Sequence, residues 1–325
     1  MVVYNNNKNL FLPYYRFISK ISWGGIIVAY AISNNQVLCQ TTNLYPSSYS
    51  LSPTMLVLIH PGALGMNGNT EISINNLNNT GAFSKVRSFS GYGSFRLSNK
   101  EKNSHGNLGA TLCNESEGNY IQRPRAYLNY SWHTKLSSAF SAGAGIAAGI
   151  LNYSFSASDV SAGGSATGPD AAVGLWLEND KIKLGFSISQ VFNSKITPID
   201  IPFRFPRFYS AFASYKIVLL EKLFLNPFFL LTIKPQSPYS NYDSGFLFNI
   251  SDFVAIGPSF RSQRSLSFLV SFYQISLSDT DFLSLKFAYN HPVITVFQAN
   301  TPSFEISLGF SRKKVDVEKE EVEEE

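Results

Sequence analysis

Short segments in which apolar and polar side chains alternate recur along most of this sequence, and they constrain its fold more than any other feature. The clearest is 304–310, where apolar residues are separated by Glu305, Ser307 and Gly309. A period of two places the apolar and the polar side chains on opposite faces of a β-strand. Helical periodicity is nowhere sustained, and no apolar run reaches the roughly 20 residues of a transmembrane helix. The sequence therefore predicts an all-β protein.

The alternating segments are roughly nine to thirteen residues long, which is the length that a tilted membrane strand needs. Clusters of Gly, Pro, Asn, Asp and Ser separate them, as in the turn at Glu178, Asn179 and Asp180. About fourteen such strands predict a transmembrane antiparallel β-barrel over residues 69–312, and an even number is usual in bacterial single-chain barrels. The candidate strands lie near 69–77, 86–97, 106–115, 121–133, 138–152, 170–178, 181–190, 206–218, 223–234, 242–250, 252–262, 266–276, 281–291 and 301–312.

The composition favours a membrane barrel over a soluble protein. Charged residues make up 15% of the chain and aromatic residues 14%, whereas a typical soluble domain has about 25% charged residues. A membrane barrel has an apolar outer face, a polar interior that Ser, Asn and Gly can supply, and aromatic girdles at its rims. A soluble β-sandwich or solenoid rich in Ser and Asn remains the alternative. Most of the net charge of +4 comes from the bases of the first 39 residues, so nothing indicates nucleic-acid binding.

Residues 1–39 have the order of a secretory signal peptide. Lys8, Arg16 and Lys20 precede a ten-residue apolar run at 23–32, which is too short to span a bilayer. We therefore expect the mature protein to reach the cell outer membrane and to insert there as a multi-pass β-barrel.

Two positions fit cleavage of this signal. Cleavage after Ala31 follows a small-x-small pattern, and cleavage after Cys39, which we favour, leaves Gln40 as the first mature residue. Acylation of Cys39 in a lipoprotein is less favoured, because Leu38 is larger than the residue that normally precedes an acylated cysteine. The next segment, residues 40–68, is predicted to lead into the barrel or to plug it.

Three further segments have compositions that predict their surroundings. The Ala- and Gly-rich stretch 137–150 predicts a strand with small lumen-facing residues where the barrel interior is crowded. Residues 154–168 are predicted to form an extended loop on the cell exterior. Residues 313–325 are mostly acidic and predict a disordered tail in the periplasm.

The sequence contains no pattern that indicates catalysis or cofactor binding. Its four histidines, His60, His105, His133 and His291, stand far apart in the sequence and lack metal-ligand spacing. No Gly-x-Ser-x-Gly elbow joins a strand to a helix, and no Gly-rich segment continues as a phosphate-binding loop. We therefore expect a protein that is not an enzyme and that has no catalytic residue, no metal site and no cofactor.

Several stretches resemble one known family in their order and spacing. Residues 52–65 resemble the "NPxxxNPAxAG" opening of the PorP/SprF family, which consists of outer-membrane components of the type IX secretion system of Bacteroidota. Residues 226–234 and 303–310 are similar to the family's "PSxLLK" and "SHEIxLxF" strands. The chain departs from the pattern at His60, Asn290 and Phe304, where the family usually has Asn, Asp and His. The residues that match family motifs, all of them structural, are Pro61, Gly65, Pro169, Asp170, Gly174, Gly185, Arg207, Pro227, Lys234 and Glu305.

The resemblance implies a role in protein secretion. A PorP/SprF-like protein would support export across the outer membrane, or attachment at the cell surface, of proteins with C-terminal signal domains, possible gliding adhesins included. The implied partners are outer-membrane lipid, periplasmic ring and linker components of the secretion system, and the secreted cargo. An outer-membrane channel or transporter of hydrophobic solutes is the alternative function.

Overall fold

The structure is a computed structural model that describes residues 49–66, 68–97, 103–158, 162–200, 202–235, 240–262, 265–293 and 301–312. The predicted signal peptide at 1–39, with both of its cleavage positions, lies outside these residues. The predicted tail at 313–325 also lies outside them.

The described residues form a closed antiparallel barrel. Strand β1 pairs with both β2 and β17, and β10 pairs with both β7 and β12, so hydrogen bonding continues around the whole sheet. Strand β11 continues β10 beyond Lys216, while β8 and β9 pair only with each other in a loop, which leaves fourteen strands around the wall. The strands are β1 (Thr70–Asn79), β2 (Arg87–Arg96), β3 (Ser104–Glu117), β4 (Ile121–Lys135), β5 (Ser141–Phe155), β6 (Gly164–Glu178), β7 (Ile182–Ser189), β8 (Lys195–Ile196), β9 (Phe203–Arg204), β10 (Phe208–Tyr215), β11 (Ile217–Leu220), β12 (Leu223–Ile233), β13 (Asn241–Ile250), β14 (Val254–Arg261), β15 (Ser265–Ser276), β16 (Asp281–Pro292) and β17 (Ser303–Arg312).

The prediction of a fourteen-stranded antiparallel barrel is confirmed, but the predicted loop at 154–168 is wrong at both ends. Strand β5 continues to Phe155 and β6 already begins at Gly164. The side-chain amide of Asn152 on β5 donates hydrogen bonds to the hydroxyls of Ser165 (2.9 Å) and Thr167 (2.8 Å) on β6. Small polar residues that suggest a loop therefore extend the strand pair, because they can bond across it.

The alternation in the sequence separates the inside of the barrel from the outside. On β1, Glu71, Ser73 and Asn75 are buried, whereas Ile72 and Ile74 are about half exposed. Exposed large apolar side chains occur on most of the other strands, and Leu128 on β4 is 71% exposed. An apolar outer face around a polar interior is the arrangement of an outer-membrane barrel. In the parts of the chain described, no helix is long and apolar enough to cross a membrane.

A charge placed on this outer face is expected to destabilise the barrel according to its depth in the bilayer. Leu128 lies near the middle of β4 and Gln122 near one end of the strand. Leu128→Arg should cost about 2–4 kcal/mol of folding free energy and Gln122→Arg, the matched control, about 0–1 kcal/mol. Urea titrations of the two variants and the wild type in lipid vesicles, read by heat-modifiable gel mobility, measure the difference. Equal costs at the two positions would argue against a lipid-facing outer surface.

Candidate functional site in the barrel interior

Residues 49–66, named here the internal segment, lie against lumen-facing side chains on opposite sides of the barrel wall. The segment contains three short 3-10 turns, at Ser52–Thr54, Leu56–Leu58 and Pro61–Ala63. Its backbone groups and side chains reach β16 and β17 at one end and β4, β5 and β6 at the other. The segment therefore crosses the lumen.

The first attachment of the internal segment is the carboxylate of Glu305 on β17. One carboxylate oxygen accepts the backbone N–H of Ser50 (2.6 Å) and that of Leu51 (3.2 Å), while the other accepts the side-chain amide of Asn75 (2.9 Å). Glu305 is fully buried. Hydrogen bonds to an ionised acceptor are stronger than those between neutral groups, so Glu305 holds the start of the internal segment against the wall.

Two residues of β16 add to this attachment. The ammonium group of Lys286 donates a hydrogen bond to the backbone carbonyl of Thr54 at 2.7 Å. The hydroxyl of Ser50 donates to the side-chain oxygen of Asn290 at 2.5 Å. Strands β16 and β17 therefore fix residues 50–54 through both charged and neutral groups.

The second attachment, at Leu64, is to β4, four strands along the wall from β17. Its backbone carbonyl accepts a hydrogen bond from the hydroxyl of Ser131 (2.8 Å), and the ring Nε2 of His133 lies at the same distance. The next residue, Gly65, has φ +80°, and a Cβ there would come within 2.3 Å of the Asn107 side chain. The chain can turn at this point only because residue 65 is glycine.

Close approach of the internal segment also explains the small residues of β5 and β6. A Cβ at Gly145 would lie 2.2 Å from the backbone oxygen of Pro61, and one at Gly174 would lie 3.0 Å from the Pro61 ring. These glycines face inward beneath the third 3-10 turn. The sequence prediction that stretch 137–150 borders a crowded interior is confirmed by these contacts.

An apolar core joins the internal segment to the remaining part of the wall. Leu51, Met55 and Ala63 belong to one buried cluster with inward-facing side chains of β6, β10 and β12–β16. Fully burying such a side chain contributes about 1.5–3 kcal/mol, so this cluster stabilises the segment in addition to its hydrogen bonds. The wall residues of the cluster are Trp176, Phe212, Phe228, Leu230, Leu247, Ala255, Leu269 and Ala288.

His60 lies on the internal segment within this core rather than at a reactive site. Its ring centroid is 6.0 Å from that of Trp176 and 6.4 Å from that of Phe212. Burial lowers the pKa of the His60 imidazole to about 4, against a smaller opposing effect of the Phe186 backbone. The ring is therefore neutral at pH 7, which is the form that can pack between aromatic side chains.

Two of the four histidines that are distant in the sequence are neighbours in the fold. His105 and His133 are paired across β3 and β4, and their rings stack with centroids 5.3 Å apart. Within the described ranges, no group of three or more His, Cys, Asp or Glu residues is placed to hold a metal ion.

The structure brings together five of the ten family-motif residues and leaves the other five elsewhere. Around the internal segment are Pro61, Gly65, Gly174, Gly185 and Glu305. The other five lie outside this contact. Asp170 accepts hydrogen bonds from the Tyr127 hydroxyl and the Ala171 N–H, and the Pro169 carbonyl accepts one from the Ser194 hydroxyl. Arg207 donates a hydrogen bond to the Val191 carbonyl. Pro227 lies on β12, and Lys234 follows that strand.

Sequence reasoning missed several residues that hold the internal segment. Ser131, His133, Lys286 and Asn290 each occupy an inward position of a correctly predicted strand. The sequence signal that could have identified them was a polar residue at a lumen-facing position of a predicted strand. It could not show which of the many inward polar residues would meet the segment.

Comparisons with known proteins agree with this architecture. Residues 44–310 match the family described as "Type IX secretion system membrane protein PorP/SprF". No protein with a curated description matches the chain significantly. Among solved structures, the chain is similar to the CymD monoaromatic hydrocarbon channel, with a TM-score of 0.52 and 10% identity over 82% of this chain and 93% of that one. It is also similar to the toluene transporter TbuX of Ralstonia pickettii, with a TM-score of 0.51 and 10% identity over 79% of this chain and 93% of that one.

At this identity the two solved structures show a shared outer-membrane barrel fold and nothing about substrates. The family match, in contrast, extends from residue 44 to residue 310, so it includes the internal segment and all of the wall except the last two residues of β17. The chain belongs to the PorP/SprF family of type IX secretion system membrane proteins.

Proposed function

We propose that this protein supports the export, or the attachment at the cell surface, of cargo proteins with C-terminal signal domains. Its family membership supports a role in type IX secretion. The observation that favours a supporting role over that of the conduit is the internal segment, which crosses the lumen and is bonded to β17 and to β4. A folded or extended cargo would have to displace that segment in order to pass.

The barrel can serve this role as a docking platform with two different ends. The turns at the end where β1 begins are short, as at 136–140, 179–181 and 251–253. The connections at the other end include the eighteen-residue span 190–207, which contains β8 and β9. Outer-membrane barrels have short periplasmic turns and longer exterior loops. The proposed contacts of the short-turn end are periplasmic ring and linker components, and those of the long-loop end are cargo.

Deletion of the gene tests the proposed role directly. We expect loss of surface display or secretion of at least one class of cargo with a C-terminal signal domain, restored by the wild-type gene in trans. Affinity purification of the tagged protein from native membranes, followed by mass spectrometry, should recover secretion-system components. Unchanged export of all such cargo, together with recovery of no secretion component, would refute the proposal.

The alternative role as a hydrophobic-solute transporter has a separate readout. The intact purified protein, reconstituted in vesicles, should show no accelerated uptake of a monoaromatic hydrocarbon relative to protein-free vesicles. Uptake that saturates with solute concentration would support the transporter role instead.

A further inference from the structure

A cavity of about 640 Å³ lies in the barrel between the internal segment and the short-turn end. The internal segment forms one boundary through residues such as Leu56, Ala63 and Met66. Trp176, Phe212 and other apolar side chains of the wall surround its inner part. We name this space the vestibule. Its inner part can take an apolar side chain, and its outer part faces the short turns.

Four lysines line the outer part of the vestibule: Lys135, Lys181, Lys183 and Lys216. They come from the ends of β4 and β10 and from the hairpin between β6 and β7. Glu178, Asp180 and Asp252 also line the space, so its net charge is only slightly positive. In the part of the chain that the structure describes, no carboxylate forms an ion pair with any of these four ammonium groups. Lys183 pairs with Glu178 across β6 and β7 without an ion pair, and the Lys216 ammonium lies 3.7 Å from the centre of the Phe224 ring.

The acidic segment 318–325 follows the last strand at this same end of the barrel. Strand β17 ends at Arg312, which pairs with Asp281 at the start of β16 and Thr70 at the start of β1. The six residues from Arg312 to Glu318 can span about 20 Å, and a fourteen-stranded barrel is roughly 28 Å across from strand spacing and tilt. Segment 318–325 can therefore reach the middle of the lumen without any change in the barrel.

The charges of this segment complement the lysines of the vestibule. It contains six glutamates and one lysine, and Val322 stands between two glutamates at 320–321 and three at 323–325. Carboxylates within a few ångströms of ammonium groups in a partly enclosed space interact with them more strongly than they would in bulk water. Val322 suits the apolar inner part, while its neighbours Glu321 and Glu323 suit the lysines.

We propose that the vestibule is a peptide-binding site whose occupant is the acidic segment 318–325 of the same chain. The segment enters from the short-turn end and places its glutamates beside Lys135, Lys181, Lys183 and Lys216. An acidic peptide of a periplasmic partner would compete for the same lysines. This proposal does not depend on the role in secretion, because it concerns contacts within one chain.

Disulfide formation between the segment and the vestibule tests the proposal. The full-length protein with Lys183→Cys and Glu323→Cys, in a Cys113→Ala background, is oxidised in native outer membranes, and mass spectrometry identifies the bridge. The matched control carries Lys222→Cys with Glu323→Cys, because Lys222 is exposed on the short turn before β12 and does not line the vestibule. Binding should raise the yield of the intramolecular bridge about ten-fold over the control through local concentration.

Electrostatic dependence provides the second measurement. Adding Lys135→Glu, Lys181→Glu and Lys216→Glu to the protein with Lys183→Cys and Glu323→Cys should reduce the yield of the bridge to that of the control. About 1 M NaCl should have the same effect, because at this concentration salt screens charges that are more than roughly 3 Å apart. Heat-modifiable mobility verifies that each variant is folded. Equal yields at positions 183 and 222, or a bridge from position 323 to a different protein, would overturn the proposal.

Discussion

Replacement of the internal segment by a Gly/Ser linker of equal length is expected to make the barrel conduct ions, because the segment obstructs the lumen. The segment crosses the lumen and lies between polar inward residues of β4 and β17, such as Ser131 and Glu305. Without it, these polar walls border an open space, and water fills a polar barrel interior. In planar bilayers the wild type should remain at background conductance, whereas the linker variant should give discrete current steps.

A reversible lock provides the control for this prediction. The variant Ser50→Cys with Asn290→Cys, in a Cys113→Ala background, replaces a 2.5 Å hydrogen bond between the segment and β16 with a disulfide formed on oxidation. The oxidised protein should stay closed for as long as the bridge persists. Equal conductance of the wild type and a folded linker variant would contradict the prediction that the segment plugs the barrel.

Glu305→Ala should release the start of the internal segment while the barrel wall stays folded. The change removes the acceptor of the Ser50 and Leu51 N–H groups and of the Asn75 amide. Each buried donor left without a partner costs about 1–3 kcal/mol, partly offset because a buried carboxylate no longer has to be desolvated. We expect a net local loss of about 2–5 kcal/mol. Hydrogen exchange should show it as faster exchange of the two amides at residues 50 and 51.

Two further glutamate variants separate the hydrogen bonds from general effects of charge removal. Glu221→Ala removes an exposed glutamate from the turn between β11 and β12 and should leave exchange at residues 50–51 unchanged. Glu305→Gln retains one acceptor oxygen and should give an intermediate exchange rate. If the Ser50 and Leu51 amides of Glu305→Ala stay as protected as in the wild type, Glu305 does not hold the segment.

The wall of the barrel could be predicted because its signals are local. Alternation with a period of two identifies a strand whose two faces meet different surroundings, and Gly, Asn and Asp mark the turns. The prediction failed where those signals conflict, at 164–168, because Ser165 and Thr167 have the composition of a loop yet bond to Asn152 of the neighbouring strand. A local pattern cannot report a partner on another strand.

The attachments of the internal segment could not be predicted in the same way. Glu305 and Ser50 are 255 residues apart, and Leu64 and His133 are 69 apart. The family motif drew attention to Pro61, Gly65, Gly174 and Glu305 but gave no physical reason for their relation. The reason is contact, since Gly174 lies beneath Pro61 and the Glu305 carboxylate accepts the first N–H groups of the segment.

By itself, the sequence predicted that the chain is all-β and that it has about fourteen membrane strands. It also predicted the polar and apolar faces of the clearest strands. Each of these properties depends on residues only two to about a dozen positions apart. The sequence left open whether residues 40–68 lead into the barrel or plug it. The tertiary structure decided that residues 49–66 cross the lumen and that a lysine-lined vestibule remains beside them. Both depend on how the curved sheet closes between β10 and β12 and between β1 and β17. Only closure places the inward faces of distant strands around one space.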